Sequence, residues 1–214
     1  MAEIFSEIDE EVRREHYLKL WQKYGRYVVA AVVLFLLAVA GVTGWQTYQN
    51  KQRLEDGRRY EAALDLARAG KPDAAATAFA RLGTDGRGGY AAMARLREAA
   101  LLVAKGDDKG ATDVYERLAA DDGADRIFRD LSVVLMVLHE LERGDAVALA
   151  ARLAPITAED NPWRYSALEL TALLALRTGD KSKARTIFTR LTDDRAAPVA
   201  MRRRAGELLS GIGK

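Results

Sequence analysis

Hydrophobic and polar positions follow three different rhythms along this chain. Between Ile4 and Tyr24 apolar residues recur about every four positions (Ile4, Ile8 and Val12, then Tyr17, Leu20, Trp21 and Tyr24), with Glu, Arg and Lys on the other face, which predicts an amphipathic helix. From Tyr27 to Asn50 the alternation stops, with no Asp, Glu, Lys, Arg or His and a centre reading VVAAVVLFLLAVAGVTG. Beyond Lys51 a helical period returns, interrupted at regular intervals by glycine.

The uninterrupted apolar run predicts a single membrane span over residues 27–48. Its 22 residues extend roughly 33 Å as a helix, against a hydrocarbon core of about 30 Å. Its ten Val, Leu and Phe residues between Val28 and Gly44 contribute about −3 to −6 kcal/mol on the insertion scale, with no charge to offset them. Trp21, Tyr24 and Tyr27 precede the run, and Trp45 and Tyr48 close it, where amphipathic rings meet lipid headgroups. An A-x-A pattern at Ala38 to Ala40 could be read by a signal peptidase. The polar region before it is long and acidic, unlike the short basic start of a cleavable signal. The anchor is therefore expected to stay. Within it Ala40, Gly41 and Gly44 form a small-residue face that could pack against another membrane helix. Five cations before the run and four after it leave orientation undecided by charge.

The glycine intervals carry the remaining fold information. Gly70, Gly106, Gly144 and Gly179 lie 36, 38 and 35 residues apart. Five residues after each stand Ala75, Ala111, Leu149 and Ala184; nine after, Phe79, Tyr115, Leu153 and Phe188; twelve after, Leu82, Leu118, Ile156 and Leu191. Seven before stand Ala63, Ala99, Val137 and Ala172. A helix ending at a glycine and a second helix folding back on it cannot bury an apolar face alone, so four stacked copies predict an α-solenoid. A last helix from about Val199 to Leu209 is expected to cover the open end. The GTDGRGG stretch from Gly83 is expected to be a flexible link between the first two copies.

Composition narrows the chemistry. The 214 residues are 49% apolar and 30% charged, and 33 basic against 31 acidic side chains leave a net charge of +2, which excludes a strong nucleic-acid field. There is no cysteine, and His16 and His139 are the only histidines, so thiol chemistry, Cys-based zinc sites and two-histidine ligand sets are excluded. His139 sits in LHELE, without the second histidine of a zinc helix, and GTDGRGG lacks the lysine of a phosphate-binding loop. Asp107, Asp121 and Asp193, each beside a second aspartate, fall at helix ends, where they cap. Arg202 to Arg204 read as a solvated face of the last helix. No catalytic, cofactor or metal site is expected, and no nucleic-acid or small-molecule partner.

The spacing G-x4-A-x3-[F/Y]-x2-L resembles the tetratricopeptide repeat, with Ala63, Ala99 and Ala172 as the small residues that let two helices approach. The full layout, with KLWQKYGRYVVA before the apolar run and GWQTYQN closing it, resembles the bacterial membrane-anchored repeat proteins that serve as ancillary subunits of the Sec translocon. The period exceeds the usual 34 residues, and the closing proline is missing from most copies. The resemblance implies an all-α protein: residues 1–26 cytoplasmic, 27–48 in the inner membrane, and 49–214 a periplasmic repeat domain. It implies partners among membrane lipid, translocon subunits, periplasmic chaperones and nascent chains. It also implies that the first helix of each copy lines a concave surface. Positions ten and six before the glycines then offer Tyr60, Leu64, Leu96, Val134, Leu138 and Leu173 as an apolar groove for extended polypeptide, although the same residues could fill the core of a tightly wound solenoid. The expected function is a non-enzymatic interaction module accessory to protein export, with a structural subunit of another envelope complex as the alternative.

Overall fold

The computed structural model describes the backbone of residues 2–212, and side chains at 21, 23–27, 29–30 and 33–212. Most of the amphipathic face expected between Ile4 and Tyr24 lies outside the described side chains. The chain divides into two compact units, residues 1–52 and 53–214. A helix, α1 (Ala2–Arg68), supplies the backbone of the first and opens the second.

In the first unit every described side chain from Tyr27 to Asn50 is exposed, including Phe35 and Leu36 at 68% and 60%. Among the described residues nothing covers these apolar side chains. Arg26 lies 4.8 Å from the Tyr27 ring centre and donates to its hydroxyl at 2.8 Å. Among the described residues no helix is long and apolar enough to cross a membrane. The span expected over 27–48 lies partly outside them, because Val28, Ala31 and Val32 are not described and the stretch from Val33 turns polar at Gln46.

The second unit is a succession of helical hairpins in chain order. The end of α1 pairs with α2 (Pro72–Asp85), α3 (Gly88–Lys105) with α4 (Asp108–Ala119), α5 (Arg126–Glu140) with α6 (Ala146–Leu153), and α7 (Arg164–Arg177) with α8 (Lys181–Asp193). A 3-10 turn (Ala154–Thr157) extends α6, and α9 (Val199–Gly211) packs on α8 as the terminal cover. The described residues form helices and connections only, with no strand.

Turn chemistry explains why the chain reverses where it does. Gly70, Gly106 and Gly179 hold φ of 71°, 83° and 80°, the left-handed region that a side chain disfavours. Aspartates that follow immediately then cap the next helix. Asp107 accepts from the Gly110 N–H at 2.9 Å and Asp180 from the Lys183 N–H at 3.0 Å, while Lys71–Pro72 starts α2 with a ring that needs no N–H. The third turn differs from the expected pattern. Gly144 does not have a positive φ. There a Cβ would come within 2.9 Å of Leu149 Cδ1, and Arg177 of the next hairpin donates to the Leu141 carbonyl at 2.5 Å and to that of Gly144. A Cβ there would press on the Leu149 and Glu140 side chains, and an arginine satisfies carbonyls that a left-handed turn would otherwise serve.

The interior follows the glycine register. Ala75, Ala111, Leu149 and Ala184, then Phe79, Tyr115, Leu153 and Phe188, then Leu82, Leu118, Ile156 and Leu191 are all at most 5% exposed, as are Ala63, Ala99, Val137 and Ala172. They fall into three apolar clusters along the stack, around Phe79, around Tyr115 with Val137 and Leu153, and around Phe188. Alanine seven before each glycine lets the paired helices approach; Val137 takes that place in the third hairpin. GTDGRGG is not a flexible link: Gly83 to Asp85 complete α2 and Gly88 starts α3, leaving Gly86 and Arg87 as the connection. The Arg87 N–H is held at 3.2 Å by the buried Asp56 carboxylate, which explains why this glycine-rich stretch stays compact.

Candidate functional site: the face of the first helices

Side-chain bonds between neighbouring hairpins define which residues sit level with one another. Arg97 Nε donates to the Tyr60 hydroxyl at 3.3 Å, 37 residues back; Trp163 Nε1 to the Ile127 carbonyl at 2.8 Å, 36 back; and Arg204 to both Glu169 carboxylate oxygens at 2.5 and 2.7 Å, 35 back. A step of about one repeat therefore moves across the stack at one height. The positions six before the glycines, Leu64, Ala100, Leu138 and Leu173, recur at the same interval, 36, 38 and 35 residues apart.

The two candidate rows differ in depth. Ten before the glycines, Val134 is 6% exposed inside the central cluster, and Leu96 is half-buried against it. Tyr60 is half-buried, its ring 5.4 Å from Phe79 and 5.9 Å from Tyr90. Glu169 is pinned by Arg204 of α9. This row is the floor of the face and part of the core, not an open surface. Six before the glycines the side chains stand higher: Leu64 and Leu173 are half-buried, Ala100 is exposed, and Leu138 is 54% exposed, although each lies on the same helix as a floor residue. Residues four apart lie on one helical face, so the neighbouring helices, and not the turn itself, decide that one is covered and the other is not.

The rim is polar and largely paired within the protein. Arg68 contacts Asp65 at 2.9 Å and Glu61 at 4.0 Å, and Arg177 is committed to backbone carbonyls. Glu142, in the turn that follows α5, is exposed. Between α6 and α7 lies a separate cleft of about 470 Å³ walled by Ala146, Val147, Ala150, Leu174 and Ala175, with Val147 75% exposed.

Electrostatics serve the scaffold. Sequence reasoning missed an acidic residue fifteen after every glycine, Asp85, Asp121, Glu159 and Asp194. In the first two hairpins the partner is an arginine eleven before the glycine: Arg59 lies 3.5 Å from Asp85, and Arg95 contacts Asp121. Asp194 instead takes Arg164 at 3.3 Å and the Tyr165 hydroxyl at 3.2 Å. The Arg95 hydrogen bond holds the Asp121 carboxyl below the usual carboxylate range, and backbone N–H groups of Ala196 and Lys183 do the same for Asp194 and Asp180. Burial raises Glu98, against the pull of Arg117 and Arg95. The +15 period was legible, but its partners change position from copy to copy.

Other singled-out residues are structural in place. His139 Nε2 lies 2.9 Å from Asp108 Oδ1, tying α5 to the start of α4, and no group of acids and histidines among the described residues could hold a metal. Arg204 binds Glu169, and Arg203 lies 3.8 Å from Glu207. Ala40, Gly41 and Gly44 are exposed, with open space where a Cβ would stand on either glycine.

Stacked helical hairpins with a shallow, partly apolar face define a helical-repeat scaffold. The chain belongs to the tetratricopeptide repeat-like domain family, whose model matches residues 19–202 and so includes both the apolar run and the hairpins. Domains of this kind are typically protein-interaction modules. No curated protein matches the chain in sequence.

Proposed function

We propose that this is a membrane-anchored interaction module in which residues 27–48 cross the bacterial inner membrane once and the periplasmic repeats receive extended apolar polypeptide. In this reading the protein is an accessory of Sec-dependent export, contacting translocon subunits and emerging chains and passing them to periplasmic chaperones. The feature that supports the binding role is the set Leu64, Ala100, Leu138 and Leu173 at one-repeat intervals, with Leu138 left 54% exposed on α5. An extended chain laid across such a row covers apolar area at about 25 cal/mol per Å² and meets a floor that is already packed. The anchoring role draws on the apolar run, whose described side chains are left exposed by the other described residues. Helices apolar on all sides are buried in large cores or in lipid. Small residues at Ala40, Gly41 and Gly44 would let a partner's membrane helix approach.

Cross-linking in intact cells, followed by identification of captured proteins, tests this reading. Sec subunits and nascent chains are the expected captures. Stable stoichiometric recovery with a cell-division or respiratory complex, without them, would replace it with a structural role in that assembly.

A further inference from the structure

Charge is spread unevenly along the chain. From Arg177 onward there are ten basic and four acidic side chains, against 23 and 27 before it, a surplus that the whole-chain balance hides. Three of the four acids are already engaged. Asp180 accepts from the Lys183 N–H and the Ser182 hydroxyl, Asp194 from Arg164 and Tyr165, and Glu207 lies 3.8 Å from Arg203. Among the described residues the Arg195 and Arg202 side chains have no hydrogen-bond or ion-pair partner. The corner between α8 and α9 sets these cations around an exposed apolar tip. Arg195 lies in the turn closed by the Ala197 N–H on the Asp194 carbonyl, and Val199, 73% exposed, opens α9. Arg202 and Arg203 follow Val199 by three and four residues, which places all three on one side of the helix, and the Arg203 side chain is 79% exposed. The other side packs inward, with Ala205 buried in the cluster around Phe188 and Met201, Leu208 and Leu209 against it.

We propose that this corner is a docking surface for an anionic phospholipid bilayer, with Arg195, Arg202 and Arg203 on headgroup phosphates and Val199 dipping into the interface. The inference rests on the anchored reading above. Charge complementarity supplies the first argument: guanidinium groups match phosphate oxygens two at a time. The exposed valine among the cations supplies the second, since an apolar side chain flanked by arginines gains from an interface that is apolar below and anionic above. A few cations hold a free protein to an anionic bilayer only weakly. A span over residues 27–48 would keep the corner at high local concentration beside the lipid, so the weak contact suffices.

The chain has no cysteine, so Val199→Cys, and separately the equally exposed Val147→Cys, each carry one fluorescent label on the full chain. The labelled chains are reconstituted into phosphatidylcholine vesicles with or without roughly one third phosphatidylglycerol, both containing a headgroup-nitroxide quencher lipid. Quenching at 199 should be about threefold or more stronger in the anionic vesicles and should fall with added salt, while quenching at 147 should not depend on lipid charge. Arg195→Glu, Arg202→Glu and Arg203→Glu together should remove the difference with the melting temperature kept, and lysine at all three should retain it. Equal quenching in both vesicles, or a difference that survives the three glutamates, overturns the proposal. A dye response to soluble polyglutamate and none to phosphatidylglycerol would make the partner an acidic polypeptide, and a response that grows with protein density in neutral vesicles would make it a second copy. If the chain does not float with phosphatidylcholine vesicles, the anchored reading fails instead. Added anionic vesicles then decide the corner alone: flotation that needs the three arginines keeps it, and its absence removes it.

Discussion

Val134 and Leu138 sit one turn apart on α5, yet the structure assigns them opposite environments, which makes Val134→Gln and Leu138→Gln a controlled pair. Full burial of such an aliphatic side chain stabilises by roughly 1.5–3 kcal/mol. Leu138 at 54% exposure realises about half of that. Glutamine keeps part of the aliphatic stem and its amide stays in water, so Leu138→Gln should cost about 1 kcal/mol or less. Val134, at 6% exposure in the central cluster, loses its burial. Its replacement also brings an amide with no partner among Leu96, Met136 and Leu170, adding about 1–3 kcal/mol, and a larger side chain than the site holds. The total is roughly 3–5 kcal/mol. For a domain of this size each kcal/mol moves the midpoint by about 2–4 °C, so circular dichroism melts should separate the variants by about 5–15 °C. Equal shifts would refute the assignment of floor and open row, since they would place both side chains in one environment.

Phe188→Ala should cost roughly 3–5 kcal/mol, because the ring is fully buried at the centre of its cluster, whereas Arg87→Ala on an exposed side chain should stay within about 0.5 kcal/mol in denaturant titrations. Asp56→Ala leaves the Arg87 N–H without its buried acceptor and should lower stability by about 1–3 kcal/mol, and amide exchange at Arg87 should quicken. Folded Asp121, Asp180 and Asp194 bind protons less readily than in the unfolded chain. The stability they add is complete above the unfolded carboxylate pKa of about 4 and falls away as the pH drops further; a melting temperature rising between pH 4 and pH 2 would contradict those contacts. Protease added to spheroplasts should remove the chain beyond about Asn50 and spare the N-terminal segment, whereas full protection would reverse the proposed orientation.

The hairpins were readable because their signals are local. A glycine, an apolar residue five, nine and twelve later, and a small residue seven earlier all act within one helix pair, so one chain period displays them four times. Gly144 departs because Arg177, from the following hairpin, supplies what the turn lacks, and no local pattern announces a donor 33 residues away. Asp56 escaped notice for the same reason, its ligand being the Arg87 amide. GTDGRGG has the composition of a loop, but its first three residues complete a helix already packed through Leu82 and Gly83. The two groove rows show the sharpest limit. Residues ten and six before a glycine share one helical face in sequence, and only the placement of neighbouring first helices decides that Val134 is covered while Leu138 is not.

The central claim is that client polypeptide lies on the first-helix face and not on the second-helix surface. A photo-activated cross-linking residue at Leu138, and separately at the still more exposed Val147, compares the two in living cells. The account predicts nascent or unfolded chains captured from position 138 and not from 147. Capture from 147 alone, or equally from both, would contradict it.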